Sequence, residues 1–348
     1  MIKPLWILGL IVFLAGCQTP PSAVPDEEIE PVDPLSVDDI TVGLSMDTLI
    51  EERWQKDRDM FSEAVEALGA EIIVKAANGN DALQIAQAER MISDGVDVLV
   101  LVPHNAEAAA TIVGRAQAAG IPVISYDRLV KNANVDVYIS FDNEEVGRLQ
   151  AEAMIQAVPS GQYVYIGGAS TDNNAHLMRE GVYEVLKPHI DAGKIQVVYD
   201  EWTNAWKPSS AKANMLEALD ANHNDIDAVI AANDATAGGV IEALTEAGIE
   251  QTIPIVGQDA ELQGMTRLIE DQQLMTVYKS IKQLTEKAAE VAIKLAKDEP
   301  IETNHLINNG KKDVPTIYLT PVSVTKETIE ETVIEDGFHS YEAIYNNE

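Results

Sequence analysis

The feature that most constrains this chain is a strict alternation of strand-like and helix-like segments that begins at residue 40. Short apolar runs occur at 40–46, 72–76, 96–102, 123–126, 137–141, 163–166, 195–199, 228–232, 253–257 and 275–278. Amphipathic stretches lie between and after them at 51–68, 81–93, 107–119, 144–157, 175–186, 209–220, 235–246 and 281–297. Each apolar run is nearly continuous, as expected of a strand covered on both faces. Strict alternation predicts an α/β fold of parallel sheets flanked by helices. The pattern restarts after residue 141, which predicts two doubly wound lobes rather than one large sheet. A further strand at 314–324 and a short helix at 325–337 must return to the lobes. The chain is therefore expected to cross between lobes near Asp142, Ser280 and Thr320-Pro321, forming a three-strand hinge. The boundaries follow: 40–141 plus 281–319 for the N-terminal lobe, and 142–280 plus 320–348 for the C-terminal lobe. A cleft between hinged lobes is a place to trap a ligand.

The N-terminus reads differently. Lys3 supplies a positive start, Pro4 to Phe13 form an apolar run, and Leu14-Ala15-Gly16-Cys17 follows. The run is shorter than the roughly 20 residues of a permanent membrane span. It suits a signal peptide over 1–16. The last four residues resemble a bacterial lipobox, which makes Cys17, the single cysteine of the chain, a candidate for lipidation and membrane anchoring. The segment 17–39 is rich in proline and acidic residues and has no apolar periodicity, so a disordered tether is expected there.

Composition excludes several function classes. Lys and Arg number 24 against 57 Asp and Glu, a net charge of −33. Such a surface disfavours nucleic acid and anionic lipid headgroups. No dinucleotide or phosphate-binding glycine motif follows a strand. Asp220, Asn222 and Asn224 mimic the start of a calcium loop, but Asp225 and Ala231 occupy the positions that need Gly and Glu. His104 and His176 lack ligand spacing and read as rim or surface residues. No nucleophile sits in a turn signature with an assignable base. No cofactor, no metal and no enzymatic activity are expected.

Ligands of open parallel sheets bind beyond the carboxyl ends of the strands. Those ends carry Tyr126-Asp127-Arg128, Asn233-Asp234, Gly257-Gln258-Asp259 and Tyr278-Lys279, while the first strand leads to Glu52-Arg53-Trp54. Carboxylates accept hydrogen bonds from hydroxyls, whereas Arg, Asn and Lys donate. This set suits a ligand rich in hydroxyl groups, and the C–H faces of a sugar ring favour flat aromatic partners. Trp54, Trp202 and Trp206 supply the candidates. Each strand-end residue taken singly also fits a helix N-cap, Asp234 above all.

Longer motifs carry a resemblance. Glu52-Arg53-Trp54-Gln55-Lys56-Asp57-Arg58-Asp59, Tyr138-Ile139-Ser140-Phe141-Asp142-Asn143, Asp172-Asn173-Asn174-Ala175, Asn233-Asp234-Ala235-Thr236-Ala237-Gly238-Gly239 and Thr276-Val277-Tyr278-Lys279 resemble the ribose- and galactose-type periplasmic binding proteins. Within that family the similarity is to the D-xylose-binding proteins, over about residues 40–339. The resemblance implies the type I periplasmic-binding-protein architecture and a monosaccharide held in the cleft. It implies that Arg53, Asp127 and Arg128 act from the first lobe, Asn174, Asn233 and Asp259 from the second, and Lys279 at the hinge. Trp54 and Trp206 would stack on the ring from opposite sides. The family pattern has Lys where this chain has His176. The implied partners are an ABC permease with its ATPase, for a monomeric, extracytoplasmic, lipid-anchored receptor. The alternative is a sensor presenting another pentose or hexose to a chemoreceptor or kinase.

Overall fold

The computed structural model describes residues 36–249 and 251–345. The expected leader, Cys17 and the greater part of the tether lie outside them. Val37–Asp39 form a 3-10 turn, and Val37 packs against the core of the first lobe. The folded chain thus starts before residue 40, because an apolar side chain near the end of the acidic segment finds a core to join.

The first lobe runs β1 (Thr41–Met46), α1 (Glu52–Ala67), β2 (Glu71–Ala76), α2 (Asp81–Asp94), β3 (Val98–Leu101), α3 (Ala110–Ala118), β4 (Val123–Tyr126) and β5 (Val137–Phe141). These strands pair in parallel, with Val42 opposite both Ile72 and Val98, and Ile124 opposite Val137. Beyond Asp142 the chain enters the second lobe: α4 (Asn143–Ala157), β6 (Gly161–Gly167), α5 (Asn173–Asp191), β7 (Ile195–Trp202), α6 (Pro208–Ala221), β8 (Ala228–Ala231), α7 (Asp234–Glu246), β9 (Ile255–Gln258), α8 (Leu262–Ile269) and β10 (Met275–Tyr278). It then returns as α9 (Ile281–Ala296), β11 (His305–Asn308) and β12 (Asp313–Leu319), and ends in the second lobe with β13 (Val322–Val324) and α10 (Tyr341–Tyr345).

Among the described residues the strands form a seven-stranded sheet ordered β11-β12-β5-β4-β3-β1-β2 and a six-stranded sheet ordered β13-β10-β9-β8-β6-β7. Strand pleating sends alternate side chains to opposite faces. Val98 and Val100 join one apolar cluster with Phe61 and Leu284, while Leu99 and Leu101 join another with Met91 and Ile112. In the second sheet Tyr163 and Tyr165 face Met154 and Met178, and Val164 and Ile166 face Met215 and Val240. Helices α4 and α5 approach closely at Gly147 and Gly181. A Cβ on Gly147 would lie 2.0 Å from the Met178 carbonyl oxygen.

Four details differ from the sequence reading. The run 314–324 is two strands in different sheets, split at Thr320-Pro321, where proline has no N–H to continue a ladder. β12 pairs in parallel with β5, and β13 pairs antiparallel with β10. β11 was not foreseen; it is a short, mostly exposed edge strand, antiparallel to β12, so each sheet has one antiparallel edge. The stretch 325–337 makes turns and a short π-helical segment (Glu330–Ile334) rather than a regular helix. In the segment 107–119, α3 starts only at Ala110, because Asn105 Oδ1 accepts the Glu107 and Ala108 amides and holds a turn there.

Candidate functional site

The carboxyl ends of strands from both sheets meet in one cavity. Arg53 and Trp54 sit in the first turn of α1, just past β1, and Asp127 and Arg128 follow β4. From the second lobe, Asn174 lies in the first turn of α5, Trp206 follows β7, Asn233 follows β8 and Asp259 follows β9. Lys279 follows β10, two residues before α9 and the return to the first lobe. All nine line the same cavity, a concave space between elements of both lobes, as small-molecule sites commonly are.

Asp127 and Asp259 occupy equivalent positions in the two lobes. Each leaves its strand with left-handed backbone, φ 58° and 90° respectively. Each amide donates to the neighbouring strand, to Ile139 O and Val277 O, both at 2.8 Å. This conformation turns the carboxylates out of the sheet plane, and non-glycine residues adopt it mostly where surrounding structure enforces it.

Arg53 joins them. Its guanidinium donates to Asp127 at 2.9 Å, to Asp259 at 3.2 Å and to Asp57 at 3.3 Å. Arg128 makes a second link between lobes, with Asp47 at 2.7 Å on its own side and Asp172 at 2.8 Å across the cleft. Asn174 Nδ2 reaches back across to the Asp127 main-chain oxygen at 3.0 Å, and Lys279 Nζ lies 3.2 Å from Asp259. The lobes are therefore closed upon each other.

Burial alone would raise the Asp127 carboxyl, yet Arg53, Lys279 and Arg128 hold it below the ordinary value. Burial likewise opposes the charge on Arg53, but Asp127, Asp57 and Asp259 keep its guanidinium firmly protonated. For Asp172 burial prevails over Arg128, so its carboxyl is raised. Burial also pushes Asp57 to about 6, against the pull of Arg53 and a hydrogen bond from Tyr126 OH. The site is thus a fixed set of charges and dipoles in a largely dry enclosure, where donors and acceptors are already oriented.

The two tryptophans come from opposite lobes. The Trp54 ring centroid lies 4.3 Å from the Arg53 guanidinium carbon and 4.9 Å from that of Arg128. Trp206 sits at φ 58° in a 3-10 turn whose preceding residue, Ala205, has φ 50°. Its ring lies against Gly168, where a Cβ would come within 2.2 Å of it. Both rings also belong to the apolar core of their own lobe, so they are anchored as well as presented. Trp202 is not part of the cavity; its ring packs against His176 at 4.7 Å between centroids.

Capping and cavity lining coincide at Asn233 and part at Asp234. Asn233 is the N-cap of α7, in a reciprocal capping box with Thr236, and also lines the cavity. Asp234, the expected cap, is instead a fully buried residue of the first helical turn. His176 is exposed and His104 pairs with Asp47 at 2.8 Å.

Glu51, Asp172 and Gln258 complete the lining. Asp172 and Gln258 stand in quoted motifs without being assigned to the site, and Glu51 lies one residue before another. Trp206 Nε1, Glu51 Oε2 and Gln258 Oε1 are shielded from solvent and have no hydrogen-bond partner among the described residues. A cavity walled by charged pairs, unpaired polar atoms and two indole rings can recognise a small polyhydroxylated ring without any covalent chemistry.

Comparison with known proteins agrees with this geometry. Residues 42–300 match the family model described as periplasmic binding protein domain. A D-xylose-binding periplasmic protein of Haemophilus influenzae is 50% identical, over 88% of this chain and 93% of its own. The Escherichia coli K12 protein of the same name is 49% identical, over 86% of this chain and 91% of its own. A crystal structure of an ABC transporter solute-binding protein from Clostridium phytofermentans, with bound β-D-glucose, superposes with a TM-score of 0.84 at 27% identity, covering 87% of this chain and 99% of its own. From its fold, its interlobe cavity and these likenesses, the chain belongs to the periplasmic binding protein family.

Proposed function

We propose that this protein captures D-xylose in its interlobe cavity outside the cytoplasm and delivers it to the permease of an ABC importer. It is a binding protein and not an enzyme. The observation that carries the reading is the pairing of Arg53 with a carboxylate from each lobe, Asp127 and Asp259, inside a cavity flanked by two tryptophans. A sugar is gripped by hydroxyl hydrogen bonds to charged groups and by contact of its C–H faces with indole. The roles follow from chemistry: Asp127 and Asp259 accept from hydroxyls, while Arg53, Arg128, Asn174, Asn233 and Lys279 donate. Trp54 and Trp206 cover the ring from opposite lobes. Two close relatives named for D-xylose support the choice of sugar.

Among the described residues no helix is long and apolar enough to cross a membrane. We propose that a lipid on Cys17 anchors a monomeric receptor through its acidic tether. Replacing Cys17 with Ser is expected to release the protein from membranes with sugar affinity unchanged.

The deciding experiment is calorimetry of the chain against D-xylose, D-ribose, L-arabinose and D-glucose. D-xylose is expected to bind tightest and to raise the melting temperature most. At about 100 times Kd it adds roughly 2.7 kcal/mol of stability. Binding of another sugar without D-xylose would overturn the substrate assignment.

A further inference from the structure

One carboxylate at the cavity has no structural task. Glu51 is the N-cap residue of α1, yet its side chain makes no capping hydrogen bond. Its Oε2 is shielded from solvent and has no hydrogen-bond partner among the described residues. Leaving a carboxylate oxygen in this state is unfavourable unless something else supplies the hydrogen bond. Burial raises the Glu51 carboxyl above the ordinary glutamate value, against the pull of its own backbone hydrogen bond and of Arg128.

Its position adds a second observation. Glu51 lines the sugar cavity and also a small neighbouring cavity, bounded by Asp47, Thr48, His104, Thr171 and Ala205. Arg128, Asp172 and Trp206 share that double placement. Arg128 and Asp172 are locked to each other across the cleft at 2.8 Å, and Trp206 is rooted in the second lobe's core. Glu51 is the member of this partition that owes its position to neither an ion pair nor an apolar core.

We infer that Glu51 is a specificity residue: it hydrogen-bonds a ring hydroxyl of the bound sugar and walls off the adjoining cavity from sugars one carbon larger. This rests on the reading of the site as a monosaccharide trap. Truncating the side chain removes both effects at once, while the amide isostere keeps the wall and weakens only the hydrogen bond.

The test is calorimetry of the full chain and its Glu51→Ala and Glu51→Gln variants with D-xylose and D-glucose. For Glu51→Ala, D-xylose affinity is expected to fall about tenfold. The ratio of D-glucose to D-xylose affinity is expected to rise several-fold, on the order of what one carbon is worth in a shaped pocket. Glu51→Gln is expected to lose about threefold for D-xylose with the ratio unchanged. Glu51→Ala affinities within about twofold of the parent for both sugars would overturn the inference. A uniform loss for both sugars would overturn the wall. Should Glu51→Ala fail to fold, an unchanged D-xylose affinity in Glu51→Gln overturns the hydrogen bond. A parent protein that binds neither sugar overturns the monosaccharide reading itself, and this inference with it.

Discussion

Asp234 and Asp259 follow neighbouring strands, β8 and β9, at the same edge of the same sheet, yet their surroundings differ completely. Asp234 is fully buried within one lobe. Its carboxylate accepts from Gln273 Nε2 at 2.7 Å, Glu261 N at 3.0 Å and Thr276 Oγ1 at 3.1 Å. Gly257 and Gly264 press against it so closely that a Cβ on either would come within 2.3 Å of a carboxylate oxygen. Every one of these partners belongs to the second lobe. Asp259 instead takes Arg53 from the first lobe, takes Lys279 at the hinge, and lines the cavity. A strand-end carboxylate is therefore assigned by where its partners come from, not by its place on the sheet. One holds a lobe together; the other addresses whatever lies between the lobes.

Substitutions can separate the two. The largest effect is expected for Asp259→Ala, with D-xylose affinity falling about a hundredfold, through loss of one acceptor and release of Arg53 and Lys279. Its urea midpoint is expected to stay near the parent's, since Arg53 keeps Asp127 and Asp57. Equal affinity by calorimetry would remove Asp259 from the site. Asp234→Ala is expected to do the reverse: a loss of about 2–4 kcal/mol in urea unfolding, with affinity of the folded fraction within about twofold. A specific loss of affinity there would erase the contrast. Trp206→Ala falls between them, with about a tenfold loss of binding and a lower melting temperature as well, because this ring belongs to the core of its lobe.

The same carboxylate makes a pH prediction. Burial, only partly offset by Arg267 and Gln273, raises Asp234 to about 7. Burial and neighbouring acids raise Glu261 to about 8, and burial raises Asp57 to about 6. Between about pH 4 and these values the unfolded chain has released protons that the folded chain retains, so stability falls as pH rises. Asp127 and Asp47 are lowered, so the stability they contribute is lost only under more acidic conditions. Urea midpoints are expected to decline from about pH 5 to about pH 7, with a shallower slope in Asp234→Asn. A flat parent profile would contradict the raised value. The smallest effect is expected of His176→Lys, whose side chain is exposed and outside the cavity. Calorimetry there should match the parent within about twofold.

The architecture was legible because apolar runs and amphipathic stretches alternate with so little interruption that two sheets and their covering helices follow from period alone. The cavity was legible for a related reason. Parallel strands deliver their next residues to one edge, and Tyr126-Asp127-Arg128 and Gly257-Gln258-Asp259 carry their chemistry there. What stayed hidden depends on distance through space. β11 has only Leu306 and Ile307 as apolar residues and sits mostly exposed at an edge, so no sustained apolar run marks it. The break at Thr320-Pro321 falls inside a continuous β-type run, and only the position of the second sheet divides it. Which of Asn233 and Asp234 caps α7 turns on one residue of register, decided by the Thr236 hydroxyl that completes the capping box. Glu51 looks like an ordinary helix-start acid until its carboxylate is seen to leave the helix amides alone.

The exchange of segments between lobes also sets the order in which the chain can fold. β12 completes the first sheet against β5, aligning Thr316 with Tyr138, and α9 packs its Leu284 and Ala288 with Phe61 and Val65 of α1. β13 then completes the second sheet against β10. The first sheet lacks its last strand until synthesis has reached residue 319, and the second until residue 324. Pairings that join such distant parts of a sequence close large loops and fold slowly. A chain emerging N-terminus first therefore has both sheets waiting on one late segment for their closing strands.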